Sequence, residues 1–139
     1  MPTESRNQKL KRLKFCRKIR ESLFVREERC RDNLRKVRER LREEESAPTD
    51  VAEMATRNSI QEMLTQAVDS AEQELSGIRA VRVRFNNRAY GRCENKDCGI
   101  EIPLKRLEAS PFTRFCVQCQ EQAEYLERFP GSNISAMAT

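Results

Sequence analysis

The sequence has no histidine and no tryptophan, four glycines and five prolines, and only 6% aromatic residues. Without histidine, no imidazole is present to act as a base or a metal ligand, so a metal site here would be all sulfur. No base–nucleophile pairing stands out, and no glycine-rich phosphate loop or internal repeat occurs. These absences argue against an enzyme. Hydrophobic residues make up 37% and charged residues 35%, too polar a mixture for a large globular core. The balance suits long exposed helices or a small module stapled by metal. No apolar run approaches a membrane span, and Met1 leads into a charged, polar segment with no apolar signal region. A cytoplasmic, reducing location is expected, where clustered cysteines usually bind metal.

Four of the six cysteines fall within residues 90–119, as Cys93-x4-Cys98, 17 intervening residues, then Cys116-x2-Cys119. Two close thiolate pairs joined by a loop suit one tetrahedral Zn2+, each pair contributing two ligands from a tight knuckle. Gly99 follows Cys98 where the knuckle must turn sharply. An all-sulfur set favours a closed structural zinc over a catalytic one, which keeps a position open for water. The competing readings are two disulfides or four unrelated buried thiols.

From Arg6 to Glu45 the chain contains no glycine and no proline, which predicts a long helix. Cys16, Leu23, Cys30 and Val37 form one heptad row, and Leu13, Leu34 and Leu41 form another, interrupted by Arg20 and Glu27. That seam of period 3.5 is the mark of a coiled coil, with Cys16 and Cys30 as small buried hydrophobes. Phe15, Ile19 and Phe24 widen the stripe near its start. Pro48 breaks the helix at Ala47. A second helix is expected to start with Asp50 as N-cap and Glu53 in a capping box, and to run to about Phe85. Its rows are Ile60, Ala67, Glu74, Val81 and Leu64, Ala71, Ile78, Phe85, with Gly77 as a weak point. Two such helices joined by a short turn pack antiparallel, roughly 55–60 Å long.

The fold class is therefore mainly α: a long antiparallel coiled-coil hairpin, a small C4 zinc-finger module and a C-terminal helix. We assign residues 1–9 to a disordered N-terminus, 10–87 to the coiled coil with its tip at 46–52, 88–130 to the zinc module and last helix, and 131–139 to a disordered tail. Within the module, a short helix is expected over 104–109. The last helix should begin within Cys116–Cys119 and end near Phe129, with Tyr125, Leu126 and Phe129 on one face.

Net charge is +5, but residues 6–45 hold 16 Lys/Arg against 8 Asp/Glu, leaving −3 for the rest. A basic first helix is either a solvated face or a contact for an anionic partner, nucleic acid or an acidic protein surface. At the hairpin tip, Asp50 is open to two readings: a helix cap, or, with Glu53, a group reaching a metal or basic surface.

Tyr90-Gly91-x-Cys93, Cys98-Gly99-x-Glu101-Ile102-Pro103, Arg106-Leu107-Glu108-Ala109-x-Pro111 and Cys116-x-x-Cys119 resemble the zinc-finger signature of the DksA/TraR family. Pro48-Thr49-Asp50-Val51-Ala52 resembles the end of that family's coiled-coil tip motif, Asp-x-x-Asp-x-Ala. The resemblance spans roughly residues 10–130. It implies a regulator, not an enzyme, that binds bacterial RNA polymerase at its secondary channel with the coiled-coil tip directed to the active site. Carried over by position, Asp50 and Ala52 are the tip residues, and Cys93, Cys98, Cys116 and Cys119 hold one structural Zn2+. Specific DNA binding and membrane association are not expected, and a monomer is. The alternatives are a nucleic-acid-binding zinc protein using the basic first helix, and an adaptor that dimerises through its seam.

Three departures from the pattern bear on function. The first knuckle is C-x4-C where DksA has C-x2-C. The first acidic position of the tip motif is Ala47. Ser110 and Gln120 stand where DksA carries an Arg and a Lys that help hold the stringent-response nucleotide ppGpp. Loss of two charge-assisted contacts implies weak or no ppGpp dependence.

Overall fold

The computed structural model describes residues 5–48 and 50–131. Residues 1–4, Thr49 in the tip motif, and the expected tail after Gly131 lie outside the described residues. Four α-helices follow in order: α1 (Arg6–Ser46), α2 (Met54–Asn86), α3 (Leu104–Ala109) and α4 (Val117–Arg128), with a 3-10 turn over Val51–Glu53. The chain divides into two compact units, one up to Val83 and one from Arg84 onward. No helix among the described residues is long and apolar enough to cross a membrane.

In the first unit, α1 runs unbroken for 41 residues, as its lack of Gly and Pro requires. It already begins at Arg6, so residues 6–9, assigned above to a disordered segment, are helical. Ser5 N–H donates to Gln8 Oε1 at 3.1 Å, satisfying an amide at the helix start. At the other end Ser46 Oγ donates back to Arg42 O at 2.8 Å, and Ala47, ahead of Pro48, turns extended with ψ 136°.

Contacts between α1 and α2 run in opposite senses along the two helices: Glu27 meets Arg82, Cys30 meets Ala71 and Ala47 meets Arg57. The pair is an antiparallel hairpin. Its core contains Leu23, Cys30 and Leu34 from α1 and Leu64, Ala71, Leu75 and Ile78 from α2. Burial stabilises each Leu or Ile by about 1.5–3 kcal/mol relative to exposure. Arg26–Glu74 and Arg38–Glu72 bridge the helices at half-exposed positions, where each pair is worth at most about 1 kcal/mol. Packing therefore carries the hairpin. Cys30 Sγ donates to Ala71 O at 3.4 Å, and burial pushes its thiol pKa up, so it behaves as a small apolar residue.

Two details of the expected seam and one expected helix cap are corrected. Leu13 is 68% exposed, outside the buried stripe. On α2 the core position is Leu75, 4% exposed, while Glu74 turns aside to pair with Arg26. The buried stripe thus follows 64, 68, 71, 75, 78 and 81, stepping from Glu74 to its neighbour Leu75 and rejoining the expected row at Val81, because a carboxylate reaches water and a leucine does not. The capping box at Asp50 does not form. Asp50 stands at the N-cap of the 3-10 turn without a side-chain cap bond, and Glu53 N–H donates to Asp50 O at 3.1 Å.

Candidate metal centre

The second unit starts from the last turn of α2. Arg88 adopts φ 56°, and the amides of Arg88 and Ala89 return to Phe85 O and Arg84 O at 3.1 and 2.8 Å. These two bonds close the helix end in the Schellman pattern. Tyr90 then stacks on Phe85, ring centroids 4.0 Å apart, and its hydroxyl donates to Pro111 O at 3.0 Å. A single antiparallel bridge, Arg92 with Glu101, brings the two sides of the first knuckle together. Cys93 N–H donates to Ile100 O at 2.9 Å and Ile102 N–H to Gly91 O at 2.8 Å.

Asn95 organises the wide knuckle. Its backbone carbonyl accepts the amides of Cys98 and Gly99, both at 3.0 Å. Its side-chain oxygen accepts Asp97 N–H at 3.1 Å, and its amide nitrogen donates to Cys119 Sγ at 3.3 Å. The two residues added relative to C-x2-C are thus held by one asparagine that also touches a sulfur of the other pair. Gly99 sits at φ 57°, left-handed space that disfavours a side chain. On the far side, Cys116 is the N-cap of α4 and Cys119 lies in its first turn, where the positive helix end favours thiolates.

The four sulfurs all lie within 4.8 Å of one another. Cys98 Sγ is 3.8 Å from Cys116 Sγ. A tetrahedron with Zn–S of about 2.3 Å has edges of about 3.8 Å, so the donor set fits one zinc with little adjustment. None of the six cysteines is in a disulfide. Cys16 and Cys30 are outside the cluster. Burial raises the Cys93 pKa, but the amides of Cys116 and Asn95 and the thiols of Cys119 and Cys98 outweigh it, bringing it to about 7. Cys119 is lowered by the Asn95 amide, yet burial and hydrogen bonds with the other three thiols push it up to about 12. Closely packed thiols share protons in this way until a cation replaces them.

Around the cluster the apolar core is small: Tyr90, Ile102 and Leu107 are buried. Arg84 is the part that motif reading missed. Buried, it donates to Thr113 O at 2.9 Å and Arg92 O at 2.8 Å. Its Nε lies 3.3 Å from Glu94 Oε1, close enough for charge attraction but not aligned as a hydrogen bond. Glu94 also accepts from Arg114 Nε at 2.5 Å. Two arginines thus tie the first knuckle, through the Glu94 carboxylate, to the segment that leads into the second cysteine pair. Nothing in the local sequence of Arg84 marks it, whereas Asn95, two residues after a cysteine, carries a turn signal.

The tip residues lie elsewhere, in the first unit. Asp50 and Ala52 are exposed, and Val51 is 82% exposed. The Asp50 carboxylate has no partner among the described residues. α1 ends in Glu43, Glu44 and Glu45 with no basic residue in its last turn, so the negative helix end is uncompensated from within. Arg57 of α2 supplies the cation, donating to Ala47 O at 2.6 Å.

Comparison with known proteins follows the same division. Residues 88–125 match the family model "Prokaryotic dksA/traR C4-type zinc finger". A functionally uncharacterised protein of Aquifex aeolicus is 33% identical over 88 residues, 63% of this chain and 59% of that one. The RNA polymerase-binding transcription factor DksA of Escherichia coli, like that of Salmonella typhimurium, is 32% identical over 60 residues, 43% of this chain and 38% of DksA. The chain thus spans less than two thirds of the length of these curated relatives. The solved structure of transcription factor DksA2 from Pseudomonas aeruginosa superposes with a TM-score of 0.68 at 24% identity, covering 79% of this chain and 83% of that one, which establishes a shared fold.

Proposed function

We propose, from its match to the dksA/traR zinc-finger model and its similarity to DksA, that this chain is a zinc-containing regulator of the DksA/TraR family that binds bacterial RNA polymerase through its secondary channel and modulates initiation. The observation that carries this reading is the combination on one chain of a dksA/traR-type C4 zinc finger with an antiparallel helical hairpin whose tip presents a free carboxylate. In this reading Cys93, Cys98, Cys116 and Cys119 hold one structural zinc, which fixes the fold of the second unit. Asp50 and Ala52 are carried on the hairpin tip towards the catalytic centre. The family position supports that role. So does the exposure of Asp50, whose charge is not consumed as a helix cap.

Asp50→Asn separates binding from action. The residue is exposed and unpartnered, so stability should change by no more than about 0.5 kcal/mol. Affinity for core polymerase is expected to stay within about twofold, while most of the effect on transcription from a ribosomal RNA promoter disappears. An unchanged transcription effect would remove Asp50 from the mechanism, and failure of the parent chain to bind polymerase would overturn the function.

Dependence on ppGpp is proposed to be weak or absent. Ser110 carries no charge, and the Gln120 amide donates to Glu124 Oε1 at 2.8 Å. Adding ppGpp to the same transcription reaction is expected to change the response little, and a strengthening as large as that of DksA would contradict this.

A further inference from the structure

Between α1 and α2 of the hairpin lies a groove of about 480 Å³. Arg31, Arg35, Arg38 and Arg42 follow one another along it at steps of four, three and four residues, and Arg79 lines it from α2. Such steps keep side chains on one face of a helix, and the four span about 16 Å of its length. Leu34 and Leu75, both buried, also line it, and Glu39 is its one lining carboxylate. No lysine and no aromatic residue lines it.

Three of these arginines already touch carboxylates: Arg31 meets Glu27, Arg35 meets Asp32 and Arg38 meets Glu72. A guanidinium has five N–H donors, so those contacts leave most of their capacity open. Arg42 and Arg79 have no carboxylate partner among the described residues. Like charges at four-residue spacing repel along α1, and a bound polyanion relieves that repulsion.

We propose that this groove binds the sugar–phosphate backbone of single-stranded nucleic acid without reading its sequence. Planar guanidinium forks match phosphate oxygens bidentately, and an all-arginine set suits that ligand better than lysines would. A linear row in a narrow groove follows one strand, whereas a duplex is too broad to enter a space of this volume. With no aromatic side chain to stack bases, every contact is to the backbone. The site is separate from the zinc centre and from the tip, and it does not rest on polymerase binding.

The test uses the full zinc-loaded chain, without polymerase, and a fluorescent oligothymidylate of about 20 nucleotides. Anisotropy is measured from about 50 to 200 mM salt, where each phosphate neutralised on a single strand contributes about −0.7 to the log–log slope. Three to five contacts predict a slope of about −2 to −3.5. The double variant Arg42→Gln, Arg79→Gln changes two exposed side chains. It should flatten the slope by about 1.4 and weaken binding about tenfold or more, with melting unchanged. Lys14→Gln, Lys18→Gln removes the same charge from exposed positions of α1 outside the groove and should bind within about threefold of the parent, as screened non-contact charges do. No binding at the lowest salt, or an equal loss in the lysine variant, overturns the site. Tighter binding of a duplex of equal length, or displacement of the strand by polyglutamate at equal charge, overturns the assignment of its ligand.

Discussion

Cys116→Ser is expected to abolish zinc binding and unfold the second unit while leaving the hairpin helical. Cys116 is buried, its sulfur lies 3.8 Å from that of Cys98, and its amide donates to Cys93 Sγ at 3.5 Å. Serine offers a hydroxyl that does not ionise as a thiol does, so a closed four-sulfur set becomes a three-sulfur set. The apolar residues buried with the site are Tyr90, Ile102 and Leu107, too few to hold such a small unit folded alone. Zinc binding to small modules of this type is worth about 10–16 kcal/mol at neutral pH and is itself the folding free energy. Zinc analysis should fall from about one per chain to near zero. The amide resonances of residues 88–125 should collapse to the narrow range of an unfolded segment. A chelator should reproduce this in the parent chain. Because α1 and α2 have their own core, most of the helical circular dichroism survives. Retained stoichiometry with an unchanged spectrum would mean that the second unit does not depend on the metal.

Arg82→Ala is expected to destabilise the hairpin by about 3 kcal/mol, a fall in melting temperature of roughly 10–20 °C. Glu27 is 1% exposed in the middle of the seam, with Arg82 at one carboxylate oxygen and Arg31 at the other, 2.5 Å away. Removing Arg82 leaves a desolvated oxygen without its partner, the costly way to break a buried pair. The converse change should behave differently. Glu27→Leu removes the buried charge, and both arginines, about half exposed, swing into water. That variant should melt within a few degrees of the parent or above it. Thermal and urea melts of the two variants check the asymmetry. If Glu27→Leu falls as far as Arg82→Ala, the pair contributes net stability rather than only tolerating its own burial.

The helices were legible because their causes are local. A run without glycine or proline over residues 6–45 leaves few alternatives to one long helix, and Pro48, by turning Ala47 extended, ends it at Ser46. The short helix over Leu104–Ala109 and the start of α4 at Val117 follow from equally local punctuation. The cysteine spacing likewise announced a single zinc, because ligand pairs on short knuckles are constrained by chain length alone.

Side-chain partners across the fold were not legible. A heptad row can be drawn through Glu74 or through its neighbour Leu75, and the helix period alone does not choose between them. Packing against Cys30 and Leu34 selected Leu75. Glu27 reads as an interruption of its row until Arg82, 55 residues later, is seen to complete it. Arg84 reads as one of many surface cations until Thr113, Arg92 and Glu94 surround it. Asp50 reads as a helix cap, but a 3-10 turn left its carboxylate free. Element boundaries and metal ligands are set by backbone preference and chain geometry over a few residues, which a sequence carries within itself. Buried charge pairs and seam register depend on which distant side chains share a desolvated space, and only tertiary packing decides that.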